Sequence, residues 1–102
     1  MYIEKTINTY LGIPATYHTL HAMHIYYNSG VTHIDVAGYV SKDAKENGGQ
    51  AIVINQIEVQ QVNFENEEAI YNAILTSYAF SDGVLYDENE KLTIEELANE
   101  TQ

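Results

Sequence analysis

Polar and apolar residues alternate in several short runs of this chain, which is the pattern of half-buried β-strands. The first run spans residues 2–7, "YIEKTI". Turn-forming residues follow it, among them Asn8 and the only proline, Pro14. The stretches 15–27 and 31–40 are rich in tyrosine, threonine and isoleucine, so a strand is predicted in each.

The two tyrosine-rich runs are joined by Asn28-Ser29-Gly30, which predicts a β-hairpin. A three-residue loop with glycine last fits a type I turn closed by a residue of positive φ, a conformation that glycine adopts easily. In that register Tyr27 opposes Val31. One predicted face is suited to a core and carries Leu20, Ala22, His24, Ile34, Val36 and Val40. The other predicted face is mixed and carries His21, Met23, Ile25, Tyr27, Val31, His33 and Asp35.

A short helical turn and a further strand are predicted after the hairpin. Residues 41–49 begin with a serine suited to cap a helix and end at two glycines, which leaves room for about one helical turn. Residues 50–62 read as a strand whose apolar phase changes between Ile54 and Ile57. Either a β-bulge lies between these two residues, or both faces of the strand are partly covered.

The main helix is predicted to start at Asn66, a capping residue, and to end near Ser77 or Tyr78. Two acidic residues in its first turn favour this start, because the helix dipole stabilises negative charge there. Its apolar positions form two stripes, one of Ile70, Ala73, Ile74 and Ser77 and one of Tyr71, Leu75 and Tyr78. A helix on a sheet needs one stripe, so the second predicts another contact, within the chain or with a partner.

The C-terminal part is strongly acidic. Residues 82–102 carry Asp82, Asp87, Glu88, Glu90, Glu95, Glu96 and Glu100 against Lys91 alone. Thr93 and Glu96 fit a capping box, which predicts a short last helix from Ile94 to about Asn99.

The predicted fold is therefore α+β. An antiparallel sheet of about four strands with a central hairpin carries one main helix, and the short C-terminal helix follows. Residues 1–84 are predicted to form a single domain. Residues 85–102 are predicted to be an acidic extension, flexible or ordered by a partner.

Composition narrows the range of functions. The net charge is −11, from fifteen acidic residues against four lysines and no arginine, so a basic face for direct nucleic-acid binding is not expected. The chain has no cysteine, which removes disulfides and thiolate metal sites and favours an intracellular product. No apolar run reaches the length of a membrane span, and the N-terminus lacks the features of a signal peptide, so no membrane contact is expected.

All four histidines, His18, His21, His24 and His33, lie within one hairpin. On a strand, the first three alternate between the two faces. His21 and His33 share a face in the predicted register, but they lie roughly 13 Å apart along the strands at about 3.4 Å per residue, too far to share one ion. A structural or interface role is therefore predicted for them, and no metal. A metal enzyme would require two or more of these histidines to meet an acid in one pocket.

No catalytic motif is present. None of the serines lies in a G-x-S-x-G elbow, and the glycines do not form a phosphate-binding loop. Adjacent acids at 67–68 and 95–96 are explained by helix starts. We therefore expect a non-enzymatic protein without a cofactor or small-molecule substrate.

The aromatic residues are nine tyrosines, two phenylalanines and no tryptophan. Tyrosine suits interfaces because its ring is apolar and its hydroxyl is polar. Adjacent Tyr26 and Tyr27 must point to opposite faces, so either both faces are covered or one ring is offered to a partner. The candidate interface residues are Tyr26, Tyr27, His21, His33, Tyr71, Leu75 and Tyr78.

Three segments, "TYLGIPATYHTLHAMHI", "VAGYVSKDAKENGG" and "AIYNAILTSYAFSDGV", resemble a group of small structural proteins of tailed bacteriophages and prophages, of the tail, baseplate or fibre-associated type. The matching positions are Gly12 to His18, Ala37 to Lys42, and Ile70-Tyr71 with Ile74. Ile70 stands where the group would have alanine, and the resemblance covers about residues 1–84.

The resemblance implies a virion structural or assembly protein, made in the host bacterial cytoplasm. It would bind other phage structural proteins and form a homo-oligomer. The alternative is an acidic phage-encoded inhibitor, either a nucleic-acid mimic or an anti-defence protein, that binds a host protein complex. A mimic would carry carboxylates in rows at phosphate-like spacing.

Overall fold

The computed structural model describes residues 1–87, which form an α+β domain. The elements in chain order are β1 (Tyr2–Asn8), β2 (Pro14–Tyr26), β3 (Val31–Tyr39), α1 (Lys42–Glu46), β4 (Val53–Val59), α2 (Glu67–Leu75), a 3₁₀ turn (Tyr78–Phe80) and β5 (Val84–Tyr86). The strands form one antiparallel sheet in the order β4-β3-β2-β1-β5. The predicted fold class is thus confirmed, with five strands where about four were expected. The predicted last helix, 94–99, lies outside the described residues.

The fifth strand was not predicted. β5 pairs with β1, so that Tyr86 lies opposite Tyr2 and Leu85 lies opposite Ile3. The sheet therefore continues past residue 84, where the domain boundary had been predicted. Three residues are too few to show an alternating pattern, and this strand exists because the edge of β1 is available to pair with it.

The central hairpin is present, but its register differs from the prediction. The loop has four residues, 27–30, because Tyr26 rather than Tyr27 lies opposite Val31. The N–H of Gly30 donates to the carbonyl of Tyr26 at 3.0 Å, and the φ of Gly30 is 71°, as predicted for a glycine closing the turn. A second shift, between Leu20 and Ala22, leaves His21 as an extra residue in β2.

These two shifts change which side chains face the core. The pairing places Leu20, Met23, Ile25, Thr32, Ile34 and Val36 on the side of α2, which we call the helix side. The opposite side, here the outer face, carries Ala22, His24, Tyr26, Val31, His33 and Asp35. The prediction was right for Leu20, Ile34 and Val36. It was wrong for Ala22, His24, Met23 and Ile25, because a slip of one residue moves every side chain to the other face.

The core lies between the sheet and α2. Its buried cluster consists of Ile3, Ile34, Val36, Ile57, Tyr71, Ile74 and Phe80. α2 begins where predicted, since the side chain of Asn66 accepts a hydrogen bond from the N–H of Ala69 at 2.8 Å. Tyr71 is 1% exposed and Leu75 packs against the cluster, so most of the second stripe finds its contact within the chain.

β4 contains no bulge, so the first explanation for its change of phase is wrong. It pairs with β3 in continuous register from Val53 to Val59. Ile57 is buried on the helix side, whereas Ile54 lies on the outer face and is 47% exposed. The strand is also shorter than the predicted range 50–62.

Candidate interaction surfaces

The outer face carries a row of polar side chains across three strands. His24 of β2 lies opposite His33 of β3, which lies opposite Glu58 of β4. The Nε2 atom of His33 lies 3.1 Å from Oε1 of Glu58, and Nε2 of His24 lies 3.5 Å from Oδ2 of Asp35. Gln56 donates to Oδ1 of Asp35 at 3.0 Å. These cross-strand pairs support the sheet only modestly, because water competes for exposed polar contacts.

Two histidines of the hairpin thus contact one acidic side chain each, His24 contacting Asp35 and His33 contacting Glu58. Within residues 1–87, no group of three or more histidine, aspartate or glutamate side chains is arranged to hold a metal ion.

His18 lies apart from the other histidines, fully buried on the helix side. Its Nε2–H donates to the carbonyl of Lys5 at 2.8 Å, and its ring meets Phe80 edge-on at 5.2 Å between centroids. Burial lowers the pKa of this imidazole, and the carbonyl groups of Lys5 and Ala15 only partly offset that effect. Its Nδ1 atom is buried without a hydrogen-bond partner among the described residues. This histidine is a neutral core residue.

A row of four tyrosines crosses the other half of the outer face. The rings of Tyr86 and Tyr2 lie 5.2 Å apart, those of Tyr2 and Tyr17 4.5 Å, and those of Tyr17 and Tyr39 6.2 Å. Lysines of α1 lie 5.8 Å from these rings, Lys42 over Tyr2 and Lys45 over both Tyr17 and Tyr39. The row therefore holds α1 against the sheet. Sequence reasoning missed it because these residues meet only through strand pairing.

Exposed apolar side chains collect at the two ends of β2. One end, at the β1–β2 turn, carries Tyr10, Leu11 and Ile13, which are 89%, 52% and 46% exposed. The other end, at the β2–β3 turn, carries Tyr26 and Tyr27, which are 48% and 70% exposed. β2 has thirteen residues, so these ends lie about 40 Å apart at about 3.3 Å per residue. Clusters of exposed apolar residues mark interaction sites more often than single ones do.

An open groove adjoins the β2–β3 end on the helix side. Its volume is about 700 Å³, and its apolar lining comes from Met23, Ile25 and Tyr27 of the hairpin with Val62, Phe64 and Ile70 across from them. Ile25 is 36% exposed.

The charges are unevenly distributed along the chain. Residues 5–34, which include β2 and both of its turns, contain no aspartate or glutamate. Glu4 precedes this stretch, and all other acidic residues follow it, beginning with Asp35. Both exposed apolar ends therefore belong to the one long stretch without negative charge. This distribution is readable in the sequence and could have pointed to the β1–β2 turn, which sequence reasoning missed.

The predicted interface residues are dispersed rather than brought together. The distal part of β2 and the turn after it carry three of them, His21, Tyr26 and Tyr27, and His21 is exposed. His33 lies beside Tyr26, with the ring centroids 5.0 Å apart. Tyr78 is 97% exposed, far along the chain in the 3₁₀ turn. Two residues of the set contribute to the core instead: Tyr71 is buried, and Leu75 packs against the core cluster. For Tyr71 this is a correction, since its ring presents no surface to a partner.

Comparisons with protein-family models, with curated proteins and with solved structures found no match for this chain. In residues 1–87, no helix is long and apolar enough to cross a membrane.

Proposed function

We propose that this protein is a non-enzymatic structural or assembly protein that acts through protein–protein contacts. The observation that carries the proposal is the pair of exposed apolar ends of β2, both in the acid-free stretch. A molecule of net charge −11 repels most acidic surfaces, so apolar contact with another protein costs least where the contacting residues themselves carry no carboxylate. Two such patches at opposite ends of one strand suit a part that links neighbours.

The setting that we propose is the tail, baseplate or fibre region of a tailed bacteriophage. This part of the proposal is supported by the sequence resemblance alone. Its three segments correspond to the β1–β2 turn with almost all of β2, to the end of β3 with α1, and to most of α2 with the 3₁₀ turn. The protein would then be made in the bacterial cytoplasm and incorporated into the virion beside other structural proteins.

The test uses particles purified from the strain that carries the gene. Quantitative mass spectrometry should find this chain in particles at a fixed copy number relative to the major tail proteins. Tyr10→Ser should reduce incorporation severalfold, because it removes the most exposed apolar side chain of the β1–β2 end. Ile54→Ser, at an exposed position of β4, is the matched control and should be incorporated normally. Particles without the chain, or equal incorporation of both variants, would refute the proposal.

The inhibitor alternative makes a different prediction. The described acidic residues are spread over several strands, helices and loops, and three of them already have side-chain partners: Asp35 with His24 and Gln56, Glu58 with His33, and Asp82 with Lys5. A decoy would bind a nucleic-acid-binding protein tightly, with an affinity that falls steeply as salt is added. Contacts through the ends of β2 would depend little on salt, because they are apolar.

A further inference from the structure

The distal part of β2 has an unused edge. β1 pairs with the first half of β2, and Ile3 lies opposite His18. Because β1 begins at Tyr2 and runs antiparallel to β2, it does not reach the distal half of β2. Among residues 1–87, the stretch 21–26 of β2 is paired with β3 on one side and with no strand on the other. A strand edge of this kind presents a row of main-chain N–H and C=O groups that can pair with another strand.

Tyr71 marks the point where the unused edge begins. Its hydroxyl accepts a hydrogen bond from the N–H of Leu20 at 2.8 Å and donates to the carbonyl of Met1 at 3.1 Å. The side chain thus completes the pairing of β2 where β1 stops. Beyond it, the helix side of the strand shows Met23 and Ile25, and the outer face shows Tyr26.

This edge has little of the protection that edge strands usually carry. Lysine, proline and inward-pointing charges commonly prevent edge-to-edge pairing, and residues 21–26 contain none of them. A single extra residue, His21, bulges the strand where the edge begins. The edge of β4, by contrast, includes Glu58.

Charge indicates which partner fits. The whole molecule carries a net charge of −11, so two copies repel each other over most of their surfaces. Residues 5–34 contain no carboxylate, so two copies that meet along β2 bring no negative charge of this strand together. Contact between identical strands across a two-fold axis is self-complementary and closed.

We propose that a second copy of this chain pairs antiparallel with the 21–26 edge of β2, so that two sheets join into one continuous sheet. Main-chain hydrogen bonds would hold the two strands. Met23 and Ile25 would be covered on the helix side and Tyr26 on the outer face. The inference rests on the proposed function only in that the chain acts through protein contacts, and it does not depend on a phage origin.

The absence of cysteine from the chain allows a sharp test with full-length single-cysteine variants. His24→Cys, near the middle of the 21–26 edge, should form disulfide-linked dimers under mild oxidation. Tyr26→Cys should react more slowly, because only the residue nearest the two-fold axis lies opposite its own copy. Ile54→Cys is the control, since it is exposed on the same face but lies on β4. Cross-linking at the edge that is no faster than for Ile54→Cys would overturn the proposal.

A second measurement is the mass in solution as the concentration rises. The unmodified protein should approach twice the mass of one chain, and Ile25→Glu should lose this increase, because it places a carboxylate in each strand of the pair. Gln60→Glu adds the same charge at an exposed position just beyond β4 and should still dimerise. Circular dichroism confirms that both variants are folded. A monomer at every concentration would overturn the proposal.

Residues 88–102 of the same chain are the alternative occupant of the 21–26 edge. Hydrogen exchange distinguishes this alternative from pairing with a second copy. About half of the 21–26 amides already donate to β3, so the informative ones are those that point away from β3. Slow exchange of these amides in dilute monomer would mean that the chain covers its own edge, which would also overturn the proposal. The outcomes for the function remain separate. Dimers that are never incorporated into particles would refute the phage role alone, and incorporated monomers would refute the pairing alone.

Discussion

At the scale of single residues, the hydroxyl of Tyr71 shows how a tyrosine can replace a missing strand. It joins the N–H of Leu20 to the carbonyl of Met1, while its ring lies in the buried core cluster between the sheet and α2. Sequence reasoning assigned Tyr71 to an interface because the helix carried more apolar positions than one sheet face requires. The structure places the extra contact inside the molecule.

Tyr71→Phe is therefore expected to destabilise the protein. The substitution keeps the ring but leaves the N–H of Leu20 without its acceptor, which costs about 1 kcal/mol for this partly buried donor. Urea unfolding followed by circular dichroism measures the change. Tyr78→Phe removes the same atom from a side chain that is 97% exposed and should leave the unfolding free energy unchanged. Equal effects of the two substitutions would contradict this role.

His18 gives the protein a pH dependence that can be isolated. Burial lowers its pKa in the folded state below the ordinary value of 6.5, so the unfolded chain binds a proton more readily. The stability contributed by the neutral ring is complete above pH 6.5 and is progressively lost as the pH falls from there towards the folded-state pKa.

His18→Gln tests this dependence, because glutamine keeps an N–H for the carbonyl of Lys5 and does not titrate. Unfolding free energies are compared on either side of pH 6.5. The wild-type protein should lose more stability on acidification than the variant does, since the other three histidines and all the acids are common to both. Parallel pH profiles would show that His18 contributes nothing to the acid response.

At the scale of elements, the helices follow local rules while the strands follow their neighbours. Ser41 caps α1 by accepting from the N–H of Ala44 at 3.1 Å, and Asn66 caps α2 in the same way. Both caps were predicted, because a capping residue acts on its own first turn. The registers of β2 and the existence of β5 depend on pairing with residues far along the chain, which local patterns do not encode.

Asn66→Ala should weaken α2 by about 1 kcal/mol, because the N–H of Ala69 loses its acceptor. The free energy of unfolding in urea reports this loss. Asn72→Ala provides the matched control, since Asn72 is an exposed residue within the same helix, where alanine is the better helix former. That control should be neutral or slightly stabilising, and a loss as large as that of Asn66→Ala would show that the cap is not the cause.

At the scale of the whole molecule, one sheet separates surfaces of different character. Its helix side holds the core, and its outer face combines the tyrosine row under α1 with the polar row of His24, His33 and Glu58. The long strand β2 crosses the middle of the sheet, and its two apolar ends lie in the stretch without acidic residues. This arrangement is why both proposals concern β2, although the acids dominate the net charge.

The sequence by itself determined the fold class, the hairpin, the starts of α1 and α2, and the strongly negative net charge, because periodicity, capping residues and charge are local or additive properties. It also indicated Tyr26 and Tyr27 as candidate interface residues, and in the structure both side chains are exposed. Only the tertiary structure decided the rest. A four-residue turn and one extra residue at His21 reversed the faces of the distal part of β2, and long-range pairing created β5. Tyr71 moved from a candidate surface to the core for the same physical reason: burial depends on what packs against a residue, not on the residue alone.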